Sequence, residues 1–168
     1  VAGLETTKAR DIPTPKTYNQ AINSEFADYW NESIAKELAN LEDHGVWEWQ
    51  YLPKGKRTID VAWSFKVKQN ATGIVEKFKT RICARGFRQR YGYDYTETHA
   101  PVTTLVSWRA CLAEAACKGM FVSIFDIRSA YLKADLEEET YLAPFPGVTP
   151  PRKGMVMKLI HPLYGLCQ

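Results

Sequence analysis

The sequence has few of the residues that mark several large protein classes. Its 168 residues include four cysteines and three histidines, with no C-x-x-C pair and no ligand-like histidine spacing. This pattern suggests neither a disulfide framework nor a zinc site. No apolar run approaches the roughly 20 residues that cross a bilayer, and the start, VAGLETTKARD, lacks the apolar segment of a signal peptide. We therefore expect an intracellular, cytoplasmic protein with no membrane partner.

The chain does have enough apolar material for one folded domain. Hydrophobic residues make up 45% and aromatic residues 12% of the sequence. The length is that of a single domain. Together these features exclude a disordered tail and a collagen-like fibre.

Acidic residues are scarce between residues 54 and 90. This segment has eleven Lys/Arg and two acidic residues, a net charge of +9, whereas the whole chain carries +3 and the remainder therefore −6. Such an asymmetry indicates a basic surface for a polyanion on a more acidic body. A solvated charged hairpin is the alternative interpretation.

The residue pattern within this segment predicts an antiparallel β-hairpin. Apolar residues alternate from Ile59 to Lys68, residues 70–73 (NATG) predict a turn, and the alternation resumes as far as Ala84. The face opposite the apolar one carries Lys66, Lys68, Lys77, Lys79, Arg81 and Arg85. Because a merely solvated face would mix Glu with Lys, we favour phosphate binding for these cations.

Other segments predict helices and strands on both sides of the hairpin. Apolar spacing predicts a helix from Ser24, as N-cap, to Asp43, with Gly45 in a left-handed turn beyond it. The remaining predictions are a helix at Thr104–Lys118, a short helical stretch at Ser129–Leu136, and strands at Trp47–Leu52, Tyr141–Leu142 and Met155–Ile160. The apolar run Phe121–Ile127 predicts a strand covered on both faces.

Asp126 is the sharpest candidate for chemistry. A carboxylate near the end of a buried strand is costly to desolvate unless a cation meets it, and Mg²⁺ binds carboxylates together with substrate phosphates. The alternative is that Asp126 caps the following helix. A second carboxylate is normally needed to hold two metal ions, and we see no second acidic motif of that kind, since residues 137–139 (EEE) read as a solvated turn.

Several motifs in a fixed order resemble the reverse transcriptase of copia-type LTR retrotransposons. They are WSFKVK (63–68), KTRICARGF (79–87), GYDYTETHAPV (92–102), FDIRSAYL (125–132), DLEEETY (135–141), PG (146–147) and LYGLCQ (163–168). The resemblance covers residues 46–168 as a partial reverse transcriptase domain. It leaves residues 18–45 as a preceding helical segment and residues 1–17 as a linker or fragment end.

The resemblance implies an α+β fold: fingers and the first part of the palm of a right-hand polymerase. A basic hairpin and helices would pack on a partial palm sheet. In the family, Asp126 matches a catalytic aspartate that binds two Mg²⁺ ions, with Mn²⁺ as a possible substitute, and the Ile127 carbonyl completes the coordination. Tyr131 matches the aromatic residue that excludes a 2′-OH.

The resemblance also assigns nucleotide and nucleic-acid contacts. Lys79, Arg81, Arg85 and Gln168 would contact the incoming nucleotide or the template, and Ser129 and Ala130 would offer backbone N–H groups to phosphate. Lys66, Lys68 and Lys77 would bind nucleic acid. The implied partners are an RNA or DNA template-primer, a dNTP, and the integrase and RNase H regions of the same polyprotein, in a virus-like particle.

The sequence departs from the family pattern in places. His99 stands where Phe is usual, Cys167 where Lys is usual, and residues 133–134 (KA) where Asn-Gly is usual. The Tyr-x-Asp-Asp motif that supplies the remaining metal-binding aspartates is absent from these 168 residues. We therefore expect the chain alone to be inactive.

The sequence also allows two other interpretations of what this chain is. The chain could be a non-catalytic nucleic-acid-binding module that uses the basic hairpin. It could also be a fragment that never folds stably, because the strand at Met155–Ile160 would lack a neighbour.

Overall fold

The computed structural model describes residues 3–92, 95, 102–125, 127, 130–134, 136 and 138–167 and shows a mixed α+β fold. The helices in these residues are α1 (Tyr18–Ile22), α2 (Ala27–Asp43) and α3 (Leu105–Cys117). The strands are β1 (Trp47–Tyr51), β2 (Thr58–Ile59), β3 (Val61–Gln69), β4 (Val75–Ala84), β5 (Tyr141–Leu142) and β6 (Met155–Leu159). Short 3-10 turns lie at Ala9–Asp11, Gly86–Arg88 and Ala130–Lys133. No helix in the described ranges is long and apolar enough to cross a membrane.

Helix α2 confirms the predicted amphipathic pattern but begins later than expected. It buries Trp30, Ile34 and Leu41, and Gly45 beyond its end has a φ of +58°. The predicted N-cap at Ser24 is wrong. The N-cap residue of α2 is Phe26, whose side chain makes no capping hydrogen bond. The Ser24 hydroxyl instead donates to the Ala21 carbonyl of α1, because a separate short helix precedes α2.

Strands that are distant in sequence form a four-stranded sheet in the order β1-β6-β5-β2. Strand β6 pairs antiparallel with both β1 and β5, and β5 pairs parallel with β2. The expectation that the strand at Met155–Ile160 would lack a neighbour is therefore wrong. Its partner β1 lies about a hundred residues earlier in the chain, a pairing that local sequence patterns do not reveal.

Strands β3 and β4 form the predicted antiparallel hairpin as a second sheet of two strands. The turn is closed by Asn70, whose Oδ1 accepts from the backbone N–H groups of Thr72 and Ile74. Gly73 has a φ of +81°, the left-handed region that favours glycine. The ladder shifts register between Lys68 and Gln69, so a bulge lies next to the turn.

The core lies between α2 and the apolar face of the hairpin. The Trp30 ring is fully buried and meets Phe65 and Phe78 edge to face, with ring centroids 5.3 Å and 4.6 Å away. The Trp63 indole Nε1 donates to the Pro146 carbonyl at 2.8 Å. This bond links the hairpin to the loop that connects β5 and β6.

The first residues of the chain pack against this core. A linker would leave its side chains in solvent, whereas Leu4 and Ile12 are buried. The Ala9 N–H donates to the Gly73 carbonyl, and the Thr7 carbonyl accepts from Val75 N–H. Residues 7–9 therefore lie beside the start of β4 and the hairpin turn, and the 3-10 turn that follows contacts β3.

The region after α3 differs most from the sequence prediction. Helix α3 itself is confirmed, with the Thr104 hydroxyl capping the Ser107 N–H, but only Ala115 of its side chains is buried. The predicted strand at Phe121–Ile127 is wrong in the residues described, 121–125 and 127, which form no strand and are exposed. Phe121 and Phe125 are 101% and 85% exposed. An apolar run becomes a buried strand only when strands pair with it, and none of the described residues does so.

Candidate nucleic-acid interface

Five cations lie on the hairpin face that points away from the core. They come from β3 and β4 and are Lys66, Lys68, Lys77, Lys79 and Arg81; we call them the basic surface. The ladder places Lys66 opposite Lys79, Lys68 opposite Lys77, and Ser64 opposite Arg81. Because side chains directly across an antiparallel ladder are close neighbours, these positive charges form one cluster.

The cluster is electrostatically unfavourable by itself. The pKa of Lys79 is lowered by burial and then by the charges of Arg81, Lys77 and Lys68. Within the described ranges, the ion pairs of the protein involve other cations, such as Lys36 with Glu32 and Lys118 with Glu114. A surface that holds five cations together, none of them in these ion pairs, suits an anionic ligand.

One acid, Glu37 of α2, lies beside the basic surface at the outer edge of β4. Its Oε1 accepts from the Ile82 N–H at 3.4 Å. Burial raises the pKa of Glu37, and this rise is opposed by that hydrogen bond and by the charges of Arg81 and Lys79. Nothing in the spacing of α2 singles out Glu37, so sequence reasoning missed it.

The guanidinium of Arg81 lies over the ring of Tyr164, a residue near the C-terminal end of the sequence. The guanidinium carbon lies 4.8 Å from the centre of the Tyr164 ring, a cation–π geometry. The Tyr164 carbonyl in turn accepts from the Ala84 N–H at 2.7 Å. The motif at residues 163–168 is evident in the sequence, but its contact with β4 is not, because that contact joins segments about 80 residues apart.

Arg85 lies apart from these five cations. It follows the end of β4, where its N–H donates to the Asp60 carbonyl, and it lines a groove with Asp60 and Pro144. The hairpin thus brings together Lys79 and Arg81 but does not place Arg85 in the same strand.

Several predicted site residues lie outside the described residues. These are Asp126, Ser129 and Gln168, and the side chain of Tyr131 is likewise not described. Ile127 is exposed, and Ala130 begins the 3-10 turn Ala130–Lys133. In the part of the chain that the structure describes, no group of three His, Cys, Asp or Glu side chains could hold a metal ion. The metal and nucleotide roles of these residues stay predictions.

Comparison with known proteins agrees with the resemblance drawn from the motifs. Residues 44–168 match the family model described as reverse transcriptase (RNA-dependent DNA polymerase). The chain is 32% identical over 94% of its length to the retrovirus-related Pol polyprotein from transposon TNT 1-94 of Nicotiana tabacum. It is 31% identical over 92% of its length to the Pol polyproteins from transposons RE2 and RE1 of Arabidopsis thaliana.

These relatives are much longer than the chain. It covers 12% of the Nicotiana tabacum polyprotein and 10% of each Arabidopsis thaliana polyprotein. No solved structure gives a significant match. With a family match over residues 44–168 and these transposon relatives, the chain belongs to the reverse transcriptase (RNA-dependent DNA polymerase) family.

Proposed function

We propose that this chain forms the fingers and the first part of the palm of a retrotransposon RNA-directed DNA polymerase. Family membership supports the reaction class. The observation that carries the proposal is the basic surface: five cations on one hairpin face, with Lys66 opposite Lys79, Lys68 opposite Lys77, and no acid opposite any of the five in the ladder. Such an arrangement is unfavourable for folding and is explained if phosphates neutralise it.

In the proposed reaction, a primer 3′-OH attacks the α-phosphorus of a dNTP and pyrophosphate leaves. Lys79 and Arg81 are two residues apart on β4, so their side chains point to the same face and both can contact one triphosphate or one stretch of template. The Tyr164 ring fixes the Arg81 guanidinium, which limits its freedom before any ligand binds. Lys66, Lys68 and Lys77 extend the positive surface toward the turn and suit the nucleic-acid backbone.

Asp126 and Ile127 are proposed to hold the metal. A carboxylate and a backbone carbonyl are the oxygen donors that Mg²⁺ prefers, although two donors are fewer than its six positions. Mg²⁺ bound there would supply positive charge beside the reacting phosphate oxygens. Backbone N–H groups at Ser129 and Ala130 would donate to phosphate, and the Tyr131 ring would exclude a 2′-OH.

The chain by itself should not catalyse this reaction. One carboxylate does not position two metal ions or balance the charge of the transition state, and the Tyr-x-Asp-Asp motif is not among the 168 residues. Primer extension on poly(A)/oligo(dT) with Mg²⁺ or Mn²⁺ should give no incorporation. Incorporation by the pure chain would refute this part of the proposal.

The catalytic role of Asp126 needs a longer polypeptide that includes Tyr-x-Asp-Asp. There, Asp126→Asn should abolish primer extension while leaving template-primer binding intact, and Asp135→Asn is a matched control that should keep activity. If Asp126→Asn retains activity, the assignment is wrong.

A second candidate is a non-catalytic nucleic-acid-binding module, which the basic surface alone would support. It predicts that template-primer binding is the only activity even in the longer polypeptide. Extension by that polypeptide would exclude this candidate. In either case we propose action inside the cell alongside other regions of the polyprotein.

A further inference from the structure

Other segments of the chain cover the outer edge of β4, whereas the outer edge of β3 has no paired strand in the described residues. The edge of β4 is covered along its length: the Thr7 carbonyl accepts from Val75 N–H, and the Tyr164 carbonyl accepts from Ala84 N–H. Between them, Ser33 and Glu37 of α2 bond to backbone groups of β4. This edge therefore has no room for another strand.

The bonds to α2 also fix which backbone groups of β3 point outward. The Phe78 carbonyl accepts from the Ser33 hydroxyl, and the Ile82 N–H donates to Glu37, so both residues direct their backbone groups away from β3. In an antiparallel ladder the two members of an opposed pair point the same way, either both inward or both outward. Val67 lies opposite Phe78, and Trp63 opposite Ile82. Their N–H and C=O groups therefore point out from the hairpin, as do those of Phe65 between them.

No described residue pairs with β3 at this outer edge, since the sheet has only two strands. The Trp63 end is flanked by the loop to which its indole is bonded. The Phe65 and Val67 end instead opens into a groove of about 520 Å³, which is also lined by Ala9, Arg10 and Thr14. An edge strand with unpaired backbone groups beside a groove is a template for one more strand.

The side chains along the groove define what kind of strand would fit. On the side of the basic surface it carries Lys66 and Lys68, and Arg10 is a further lining residue of the groove. On the other side lie the apolar side chains of Phe65, which is buried, and Val67, which is partly buried. Because successive side chains of a strand point to opposite faces, the matching strand alternates acidic and apolar residues.

We propose that this groove, the β3 edge groove, binds an extended peptide of alternating acidic and apolar residues as an added β-strand. Its backbone pairs with the N–H and C=O groups of Phe65 and Val67, and its carboxylates lie beside Lys66 and Lys68. A peptide strand presents donors and acceptors at the spacing of β3, which a nucleic-acid backbone does not. The inference goes beyond nucleotide addition and rests on backbone groups that the proposed function does not use.

Amide hydrogen exchange on the 168-residue chain tests the pairing directly. The probe is a capped (Glu-Val)₄ peptide, and the control is Glu₄Val₄, which has the same composition but no alternation. We expect exchange of the Phe65 and Val67 amides to slow at least about tenfold with (Glu-Val)₄ and much less with Glu₄Val₄. The Lys66 and Lys68 amides already pair with β4 and serve as internal references.

Unchanged exchange at Phe65 and Val67 with (Glu-Val)₄ would overturn the proposal, as would equal slowing by Glu₄Val₄. Oligo(dT) is a third ligand in the experiment. If it slows these two amides as strongly as the peptide does, the groove is part of a nucleic-acid site and the proposal is wrong.

Two variants separate backbone pairing from charge attraction. Val67→Pro removes an outward N–H that the hairpin ladder does not use, so the fold is expected to survive and peptide affinity to fall by about tenfold. Lys66→Glu with Lys68→Glu should reverse the preference, so that (Lys-Val)₄ binds better than (Glu-Val)₄. Unchanged affinity in Val67→Pro, or an unchanged preference in the charge-reversed variant, would contradict the model of an added strand; if Val67→Pro does not fold, the exchange experiment and the charge reversal decide.

Discussion

The opposed pair Lys66 and Lys79 gives a prediction in which stability and binding move in opposite directions. The two lysines face each other across the hairpin, and like charges directly opposite each other in a sheet destabilise it by roughly 0.2–1 kcal/mol. Burial and neighbouring cations lower the pKa of Lys79, so its charged form is disfavoured in the folded state. This cost is full below the lowered pKa, decreases as pH rises above it, and vanishes once pH passes the unfolded value of 10.5. At neutral pH, Lys66→Gln with Lys79→Gln should therefore raise the free energy of unfolding by a few tenths of a kcal/mol or more.

The same double variant should bind nucleic acid more weakly. For a single strand, each neutralised phosphate contributes about −0.7 to the slope of log K against log salt. Five cations of the basic surface, each on one phosphate, give a slope of about −3.5, and the double variant about −2.1. Near physiological salt this is a loss in affinity of roughly tenfold.

Fluorescence anisotropy with labelled oligo(dT) over a series of salt concentrations measures the slope, and urea denaturation measures stability. The matched control is Lys118→Gln with Lys153→Gln, which removes two exposed cations outside the hairpin and should leave the slope unchanged. An unchanged slope in the Lys66/Lys79 variant would refute the reasoning. So would a loss of stability that accompanies the loss of binding, since the lysines would then be structural.

Three further predictions concern the fold and its titrating groups. Phe78→Ala should lower the free energy of unfolding by about 3–5 kcal/mol, whereas Phe87→Ala, at an 80% exposed position, should change it by less than about 0.5 kcal/mol; urea denaturation of both tests whether Phe78 is a core residue. Burial raises the pKa of Glu37, so the cost of ionising it is full above that pKa and vanishes as pH falls to the unfolded value. Glu37→Gln should thus have a higher Tm than the parent chain above neutral pH, with the gap closing toward pH 4.5; a gap that does not change with pH would contradict this. Burial also raises the pKa of the Cys83 thiol, so maleimide labelling followed by mass spectrometry should modify exposed Cys111 well before Cys83, and equal rates would contradict the buried position.

The hairpin could be predicted from sequence because its information is local. Alternation from Ile59 to Ala84 and the turn at residues 70–73 predict two antiparallel strands, and the structure confirms the hairpin from Val61 to Ala84, with a register shift next to the turn. A one-residue slip of either strand would turn the apolar residues of that strand toward solvent and its lysines toward the core, so the pattern favours one register.

The pairing of distant segments could not be predicted in the same way. Strand β6 lies between β1 and β5, and Tyr164 lies over Arg81, although nothing near either residue in sequence indicates its partner. The strand predicted from Phe121 onward is wrong for a related reason. A short, mostly apolar run has no clear period that distinguishes a buried strand from an exposed segment, so its structure depends on what packs against it.

The part of the candidate site that lies on the hairpin could be predicted from the sequence. The alternation placed Lys66, Lys77 and Lys79 on one face, and the structure has them there. The position of Arg85 beyond β4 and the proximity of Glu37 depend on where β4 ends and how α2 packs, which are tertiary features.

Lysine acetylation measured by mass spectrometry tests most directly whether the basic surface is where nucleic acid binds. The chain is treated with an acetylating reagent with and without saturating oligo(dT). We expect Lys66, Lys68, Lys77 and Lys79 to be protected by the ligand, while Lys118 and Lys153 react equally in both samples. Equal protection of all lysines, or protection of Lys118 and Lys153 in place of those on the hairpin, would contradict the account.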